Sequence, residues 1–582
     1  MPLQPYRGTG RKLLLGIDIG TTFSGVSYCV LDPGEVPQVL SVTRFPGQEG
    51  ENKLRDTKIP TVVYYGQDGR IRAIGAEART DSAQVEALDE NWVLAEWFKL
   101  HLRPADMADN QARLPTLPRN KSVVDVLADF MSYIYKCARD FISEADPKGQ
   151  QILRSNKSIE FVLAHPNGWG GGQQSKMRRA AVQAGLIPDT AAGQSRIHFV
   201  TEGEASLHYC VTNGLAGDAI KVTQICDAHS TYLSTYKVTG VTPVSVVECA
   251  AADCLLQGST FVNVRAKDFL KKKLKKSRFG NEEDLSNIID YFEASTKPTF
   301  RDAAKPSYTR FGGPRDTDEK NGIKRGVLSL SGPEMVSFFR PSVNAVERAM
   351  QKQAHEAAAP IDIILLVGGF SASPFLRSEL QAYTRRTAMR LFSPEGQPAK
   401  AVAEGALSCH LDRAVTSRVA RYTYGSMCNN IHVPTDPEYI KREHWSYVDL
   451  AGNTRIRGGF VGLLLKGTSV SNDEEFKMDF IQYDVGPFTD ISMSVSCYKG
   501  ELANPQWVDE DPNRFATLCT VHADLSRVPK TPRYGPKGLY YSQDFELVLL
   551  FGLTELKAQL SWIENGRDTR SPATIVYDDE TD

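Results

Sequence analysis

Residues 13–25 read LLLGIDIGTTFSG, and this stretch decides how the N-terminal part of the chain is interpreted. Its apolar run reaches a carboxylate at Asp18, passes through Gly20, Thr21 and Thr22, and then becomes apolar again. Apolar runs separated by a few small polar residues predict two strands joined by a tight turn. Two interpretations follow. The stretch is an ordinary hairpin, or its small residues let a polyphosphate approach the backbone N–H groups.

Length and charge restrict the class of protein. The chain has 582 residues, which is more than one hydrophobic core usually serves, so we expect two or three domains. Its 68 Lys and Arg residues nearly balance 70 Asp and Glu residues, and the net charge is −2. Such a chain has no field that attracts nucleic acid or an acidic membrane, so we expect neither as a partner.

The cysteines and the N-terminus indicate a compartment. The ten cysteines are scattered and include no C-x-x-C pair, which predicts free thiols in a reducing environment and neither a disulfide framework nor a zinc site. The first residues are polar, and the apolar run after them is interrupted at Asp18, so we expect no signal peptide or membrane span. These features predict an intracellular protein, either cytoplasmic or nuclear.

The pattern of elements changes near residue 412. Before it, strand-like and helical runs alternate, which predicts an α/β core. Beyond residue 413, short runs of alternating apolar and polar residues predict antiparallel sheet. The polar segment 305–321 is predicted as a mobile loop, and the acidic segment 576–582 as a disordered tail. The predicted helices are 123–142, 173–186, 266–276 and 333–358, and the predicted strands are 159–164, 198–200, 222–226 and 361–367.

Four stretches resemble motifs of one superfamily, in the same order and with matching separations. They are similar to the first phosphate loop, first connecting helix, adenosine loop and second connecting helix of the actin-like ATPases. The stretches are GIDIGTTFSGV (16–26), VTEGEASLHYC (200–210), LLVGGFSASPFL (365–376) and KAVAEGAL (400–407). Within that superfamily the chain resembles the 70-kDa heat shock chaperones, and more narrowly their divergent heat shock 70 kDa protein 12-like branch. The resemblance covers residues 11–412 and continues more weakly at 551–566.

The resemblance implies a duplicated, two-lobe α/β fold of the actin-like ATPase type, in which each lobe is ribonuclease H-like, followed by a β-rich C-terminal module. The boundaries it implies are 11–198 for lobe I, 199–385 for lobe II, 386–412 for a return segment to lobe I, 413–575 for the β-rich module, and 576–582 for the tail.

The resemblance also implies ATP or ADP with Mg²⁺ as the ligand. Asp18 matches the aspartate that orients the water molecules around Mg²⁺. Gly20, Thr21 and Thr22 match the loop around the β- and γ-phosphates. Each of these residues equally suits an ordinary turn, because short glycine motifs recur by chance.

Two residues of the first lobe match catalytic positions of the family. Lys99 resembles the lysine that orients the attacking water, and its alternative is a surface lysine on an amphipathic helix. Glu202 matches the glutamate of the connecting helix near the metal. Its alternative is a solvated glutamate at a helix start, where the helix dipole favours negative charge.

In the second lobe the resemblance implies further contacts with the nucleotide. Gly368 and Gly369 match the turn against which adenosine lies, although a double glycine also ends many buried strands. The arginine that stacks on adenine in the family has no counterpart here. Gly258 resembles a glycine that approaches the phosphates, or is a plain turn between a strand and a helix. Glu293 and Lys297 fall near the helix that clasps the nucleotide, or are surface residues.

The second phosphate loop departs from the family pattern D-x-G-G-G/S-T-x-D. Residues 225–238 read ICDAHSTYLSTYKV, so Asp227 is retained for the metal and for catalysis but no glycine follows it. The second aspartate is replaced by Tyr232 or Ser234, depending on where an apparent two-residue shortening is placed. His229 is a replacement base or is merely tolerated in the turn. These losses predict that hydrolysis suffers more than binding.

Two classes of function remain open. The first is an ATP/ADP-binding, chaperone-like protein whose slow hydrolysis drives lobe closure, with unfolded proteins or co-chaperones as partners. The second is a non-hydrolysing nucleotide-sensing scaffold or a protein-interaction module. No apolar linker or helical lid follows residue 411, which weakens the chaperone interpretation. A P-loop enzyme is excluded, because the sequence contains no G-x-x-x-x-G-K-[ST].

Overall fold

The computed structural model describes most of the chain and divides it into two compact units. The described residues are 4–48, 57–104, 114–154, 158–213, 224–229, 232–241, 244–254, 257–357, 360–394, 400–472, 474–487, 489–552 and 555–575. The first unit comprises Met1–Gly168 and Met177–Val415, and the second comprises Trp169–Lys176 and Thr416–Asp582.

The strands of the first unit, in chain order, are β1 (Lys12–Ile19), β2 (Phe23–Leu31), β3 (Val39–Ser41), β4 (Ile59–Pro60), β5 (Val62–Tyr65), β6 (Ile71–Ile74), β7 (Val93–Glu96), β8 (Ile159–His165), β9 (Ile197–Thr201), β10 (Gln224–His229), β11 (Tyr232–Val241), β12 (Val244–Cys254), β13 (Ser307–Arg310), β14 (Ile323–Lys324), β15 (Val327–Leu330), β16 (Ile363–Val367) and β17 (Arg390–Phe392).

Its α-helices are α1 (Asp81–Asp89), α2 (Val123–Ala145), α3 (Gly149–Leu153), α4 (Gly171–Gln183), which crosses the boundary between the units, α5 (Ala191–Gln194), α6 (Glu202–Thr212), α7 (Ser259–Lys273), α8 (Glu282–Tyr291), α9 (Lys297–Thr299), α10 (Gly332–Glu356), α11 (Pro374–Arg386) and α12 (Ala401–Asp412). A search of the described helices found none that is both long and apolar enough to cross a membrane.

The two main sheets of the first unit have the same strand order. One runs β3-β2-β1-β8-β9, with β4 beside β2, and the other contains β12-β11-β10-β16-β17. In each sheet three consecutive strands pair antiparallel, and two later strands extend the sheet parallel to the first strand. The first unit is therefore mixed α/β, as the alternation of runs predicts. Its parallel strands end together at one edge of each sheet, the place where ligands bind in α/β sheets.

Helices α6 and α12 lie against the main sheets and against each other. Apolar residues of α12 pack with those of β1 and β8, while Leu207 and Cys210 of α6 pack with β16. The helices approach so closely that a Cβ on Gly405 of α12 would lie 1.8 Å from the carbonyl oxygen of Ala205. Only glycine fits there. This packing fixes the start of α6 beside the ends of the parallel strands.

One segment differs from its prediction. Residues 305–321 were expected to form a loop, but the structure places β13 within them, paired with β15. Thr309 of β13 is buried, and its hydroxyl lies 2.8 Å from that of Thr296. The loop prediction is therefore wrong for Ser307–Arg310, because pairing with a later strand outweighs the local polarity. The predicted tail, 576–582, lies outside the described residues.

The second unit is built mainly of antiparallel strands, as the short alternating runs predict. Its elements are β18 (Val415–Val419), β19 (Thr423–Ile431), α13 (Pro437–Lys441), β20 (Ser446–Val448), β21 (Thr454–Leu464), β22 (Ser469–Ser471), β23 (Glu475–Asp484), β24 (Asp490–Tyr498), β25 (Phe515–Asp524), β26 (Pro532–Gly535), β27 (Gly538–Gly552), β28 (Glu555–Glu564), β29 (Arg567–Arg570) and β30 (Thr574–Ile575). One sheet runs β20-β21-β19-β24-β25 and another runs β23-β27-β28-β29. Side chains from β24, β25, β27 and β28 form one buried apolar cluster.

Candidate functional site

Asp18 lies next to the end of β1 and forms an ion pair. The strand register sets it opposite Gly25 of β2 and Ala164 of β8. Its Oδ2 accepts a hydrogen bond from Lys58 Nζ at 2.6 Å, and the two side chains are 3% and 17% exposed. Lys58 directly precedes β4, which pairs with the start of β2. Asp18, for which the resemblance implies a role in Mg²⁺ binding, is therefore paired with the ammonium group of Lys58.

The turn after Asp18 contains Gly20, Thr21 and Thr22, all of which are half-buried. A Cβ on Gly20 would lie 2.3 Å from the carbonyl oxygen of Phe23, so the turn is too tight for another residue. The carbonyl of Thr22 accepts the N–H of Thr61 at 2.8 Å, which fixes the other side of the turn. The predicted phosphate loop is thus a closely constrained hairpin turn beside the Asp18–Lys58 pair.

Lys99 and Glu202 meet in a second ion pair. Lys99 lies in the 3₁₀ helix Phe98–Leu102, and Glu202 is the first residue of α6, directly after β9. Lys99 Nζ is 2.7 Å from Glu202 Oε1, and the side chains are only 4% and 6% exposed. The interpretations of Lys99 as a surface lysine and Glu202 as a solvated glutamate are therefore wrong. The pairing lets two charges lie away from water, which either alone would do only at high cost.

Two further residues at this edge had no place in the sequence prediction. His165, the last residue of β8, is fully buried, and the burial lowers the pKa of its imidazole. Asn167 follows it, and its Oδ1 accepts the N–H of Gly203 at 3.0 Å. The Asn167 amide nitrogen donates to the hydroxyl of Ser234 on β11. One buried side chain thus links the end of β8 to the start of α6 and to the second main sheet.

The second hairpin has the same spacing as the first. The register pairs Asp227 of β10 with Ser234 of β11, and it pairs Asp18 with Gly25, so the partners are seven positions apart in both hairpins. The strand register therefore sets Ser234, and not Tyr232, opposite Asp227. The structure describes the backbone of β10, whereas the side chains of Asp227 and His229 lie outside the described residues.

The double glycine follows the strand next to β10. The register pairs Asp227 with Leu365 of β16, and β16 ends two residues later at Val367. Gly368 has φ +85°, which favours glycine, and Gly369 begins the 3₁₀ helix Gly369–Ala372. A Cβ added to Gly369 would meet no atom within 4 Å, so the backbone has open space on that side. The predicted adenosine turn is therefore accessible at the same edge of the second sheet.

Gly258 and Lys297 lie at the starts of two different helices of the first unit. Gly258 is the residue before α7. Lys297 begins α9, its side chain is buried, and its Nζ lies 3.1 Å from Glu293 Oε1. Burial lowers the pKa of the Lys297 ammonium. The surface interpretation is thus wrong for Lys297. The charge of Glu293 also helps burial to raise the pKa of the Glu96 carboxyl on β7.

The edge of the first sheet carries two carboxylates and two lysine ammonium groups, which form two ion pairs. Mg²⁺ binds proteins through one or two carboxylates and keeps several water molecules. Asp18 and Glu202 each hold a lysine ammonium instead. The described donor set therefore does not fit Mg²⁺ at Asp18. Phosphate oxygens accept hydrogen bonds from lysine ammonium groups and from backbone N–H groups, and this edge has both.

Comparison with known proteins adds no relative to this picture. No model of a known protein family matches the chain, and no curated protein matches it in sequence. The functional assignment therefore depends on the geometry of the two strand edges.

Proposed function

We propose that this chain is an actin-like ATPase-type protein that binds ATP or ADP at the strand edges of its first unit. The observation that carries the proposal is the equivalence of the two main sheets. They share one strand order, and Asp18 and Asp227 occupy the same place in the first hairpin of each. Two such sheets with a phosphate hairpin each are what the resemblance to the heat shock chaperones implies.

The first sheet supplies the phosphate contacts in this proposal. The backbone of Gly20, Thr21 and Thr22 offers N–H groups in a turn that glycine keeps tight. Lys58 and Lys99 supply positive charge, since each lies in an ion pair with a carboxylate at the end of a strand or at the start of a helix. An ammonium group has three donor hydrogens, so Lys58 can donate to Asp18 and to a phosphate oxygen at the same time.

The second sheet supplies the adenosine contact. Gly368 and Gly369 follow β16, and open space lies beside Gly369. Backbone without a Cβ lets a flat ring lie close to the chain. Lobe closure would follow if ATP and ADP contact the two hairpins differently, because only a differential interaction shifts a conformational equilibrium.

Hydrolysis is the part of the family activity that this chain supports least. Ser234 lies opposite Asp227 where the family has a second carboxylate, and its buried hydroxyl already accepts a hydrogen bond from Asn167. A neutral hydroxyl does not act as a general base near neutral pH. We therefore favour very slow hydrolysis, and the second candidate is a non-hydrolysing nucleotide-sensing scaffold. Action on client proteins stays a prediction.

Calorimetry with the full chain tests the proposal. ATP and ADP are titrated separately, each with Mg²⁺ and with EDTA, and a long-incubation phosphate-release assay follows. Binding with slow product formation supports the ATPase, and binding without product supports the scaffold. Absence of binding under all four conditions refutes the nucleotide proposal.

A pair of glycine variants provides the matched control. Gly20→Ala adds a methyl group 2.3 Å from a backbone oxygen in the phosphate turn, whereas Gly10→Ala adds one in open space. We expect Gly20→Ala to weaken nucleotide binding at least tenfold and Gly10→Ala to leave it unchanged. Circular dichroism of both variants checks that the fold is retained.

A further inference from the structure

Three side chains with metal-binding atoms converge at the opposite edge of the first sheet. Glu160 is the second residue of β8, His198 is the second residue of β9, and His410 lies in the last turn of α12. One ligand atom from each lies within 4.8 Å of the other two. His198 Nε2 is 3.0 Å from Glu160 Oε2, and the rings of His198 and His410 are 4.4 Å apart between centroids.

The elements that carry these side chains are rigid. β8 and β9 are neighbouring parallel strands, and α12 packs against both of them. Groups held by strands and helices are placed more precisely than groups on loops. All three residues are half-buried, so solvent and ions reach them. They lie at the strand starts, whereas Asp18 and Glu202 lie at the strand ends, so this cluster is separate from the proposed nucleotide site.

The donor set is typical of zinc. Two imidazole nitrogens and one carboxylate oxygen bind Zn²⁺ in open sites, where water takes the fourth position. Ligand atoms at about 2.0–2.1 Å from a tetrahedral ion lie roughly 3.4 Å apart. The separations of up to 4.8 Å observed here therefore require only small side-chain rotations. None of the free cysteines belongs to the described cluster.

Lys12 is the competing charge. Its Nζ lies 2.5 Å from Glu160 Oε1, the oxygen that does not face His198. An ammonium group repels a dication, so Lys12 weakens metal binding as long as it remains in place. Its side chain is 44% exposed and can turn into solvent. The expected site is therefore exchangeable, not permanently occupied.

We propose that Glu160, His198 and His410 form a zinc site that joins α12 to β8 and β9. The site is independent of the proposed nucleotide binding, although the same helix packs against α6 beside Glu202. The fourth ligand is water, and the lysine beside Glu160 sets how tightly the ion is held.

The test uses the full chain, freed of metal with EDTA and dialysed. Zn²⁺ is titrated against a chromogenic chelator, and Co²⁺ is titrated to record the visible absorption of a tetrahedral site. We expect one exchangeable Zn²⁺ per chain. Glu160→Gln and His410→Ala should each weaken binding at least tenfold, and Lys12→Met should strengthen it severalfold. His522→Ala removes an exposed histidine elsewhere and should change nothing.

Any one of three results would overturn the zinc site. The first is a wild-type protein that binds no stoichiometric Zn²⁺. The second is a Glu160→Gln or His410→Ala variant, folded by circular dichroism, that binds Zn²⁺ as the wild type does. The third concerns Lys12→Met. The expected gain in Lys12→Met keeps the test decisive even if the ligand variants fail to fold, because a folding defect does not raise metal affinity. An unchanged or weaker affinity in that variant also contradicts the proposal.

Discussion

Replacing Lys58 with methionine tests the nucleotide proposal at the charge closest to Asp18. Lys58 Nζ lies 2.6 Å from Asp18 Oδ2, and the carboxylate is almost entirely buried. Methionine keeps most of the length and the apolar part of the side chain but removes the ammonium group. Asp18 is then left as a buried carboxylate without its partner, and a bound phosphate loses one hydrogen-bond donor.

The magnitudes follow from these contacts. Removing one partner of a fully buried ion pair costs about 3–5 kcal/mol. Because Lys58 is 17% exposed, we expect a smaller loss of about 2–3 kcal/mol in the free energy of unfolding. A hydrogen bond to a charged group contributes about 1.5–3 kcal/mol, so ATP affinity should fall about 10- to 150-fold.

Calorimetric titration with ATP, in EDTA and then in excess Mg²⁺, measures the effect. The wild type should bind in both solutions, because the lysine neutralises phosphate charge without metal. Lys58→Met should lose affinity in EDTA and recover part of it in Mg²⁺, since the freed Asp18 can then hold the water molecules of the metal. Lys121→Met is the control, because Lys121 is also half-buried and lies 2.7 Å from Asp129.

Two outcomes would refute this reasoning. A wild type that binds ATP only with Mg²⁺ would show that the lysine does not replace the metal. Unchanged affinity of Lys58→Met in EDTA would show that Lys58 does not contact the phosphates. Both differ from a wild type that never binds ATP, which removes the nucleotide proposal itself.

Three more predictions concern the interior of the first unit. Lys99→Met should lower the free energy of unfolding by about 3–5 kcal/mol in urea titration, because it leaves Glu202 buried without its partner. The double variant Lys99→Met/Glu202→Gln should recover part of that loss, since no unpaired charge remains. An equal loss in the single and the double variant would contradict a buried ion pair. Gly405→Ala sets a methyl group against the oxygen of Ala205 and should cost about 1–3 kcal/mol, seen as a lower melting temperature; an unchanged temperature argues against the close packing. Burial lowers the pKa of the His165 imidazole in the folded chain below its value of about 6.5 in the unfolded chain. The unfolded chain therefore binds a proton first as the pH falls below about 6.5, and the free energy of unfolding decreases by at most about 1.4 kcal/mol per pH unit. Urea midpoints at pH 7.5 and 5.5 should differ more for the wild type than for His165→Gln; equal differences would exclude this role.

Elements with a local pattern could be predicted from the sequence. The helix expected at 123–142 is Val123–Ala145, where the side chains of Ser122 and Asp125 cap each other's backbone N–H. The strand expected at 361–367 is Ile363–Val367, followed by Gly368 with a positive φ. These elements are set by apolar periodicity, capping residues and glycine, all of which act within a few residues of one another.

The contacts that form the candidate site could not be predicted in this way. Lys58 meets Asp18 from 40 residues away, and Asn167 meets Ser234 across 67. Lys99 and Glu202 were singled out by the resemblance, yet nothing in their surroundings predicts that they pair across 103 residues. A single lysine or asparagine belongs to no repeating apolar pattern from which its partner could be predicted. Its partner depends on how sheets and helices assemble.

The link through Asn167 is the structural reason for proposing nucleotide binding with little or no hydrolysis. A second carboxylate opposite Asp227 would need a metal, a cation or a proton to lie buried at that position. Ser234 needs none of these, because its neutral hydroxyl is satisfied by Asn167, which also holds the N–H of Gly203. The second hairpin thus remains connected to the start of α6 without any metal. Under the proposed function, the second hairpin lacks a second carboxylate for water attack, but Asn167 still connects it to the start of α6, where Glu202 lies. A nucleotide sensor requires such a connection between its hairpin and the neighbouring helix.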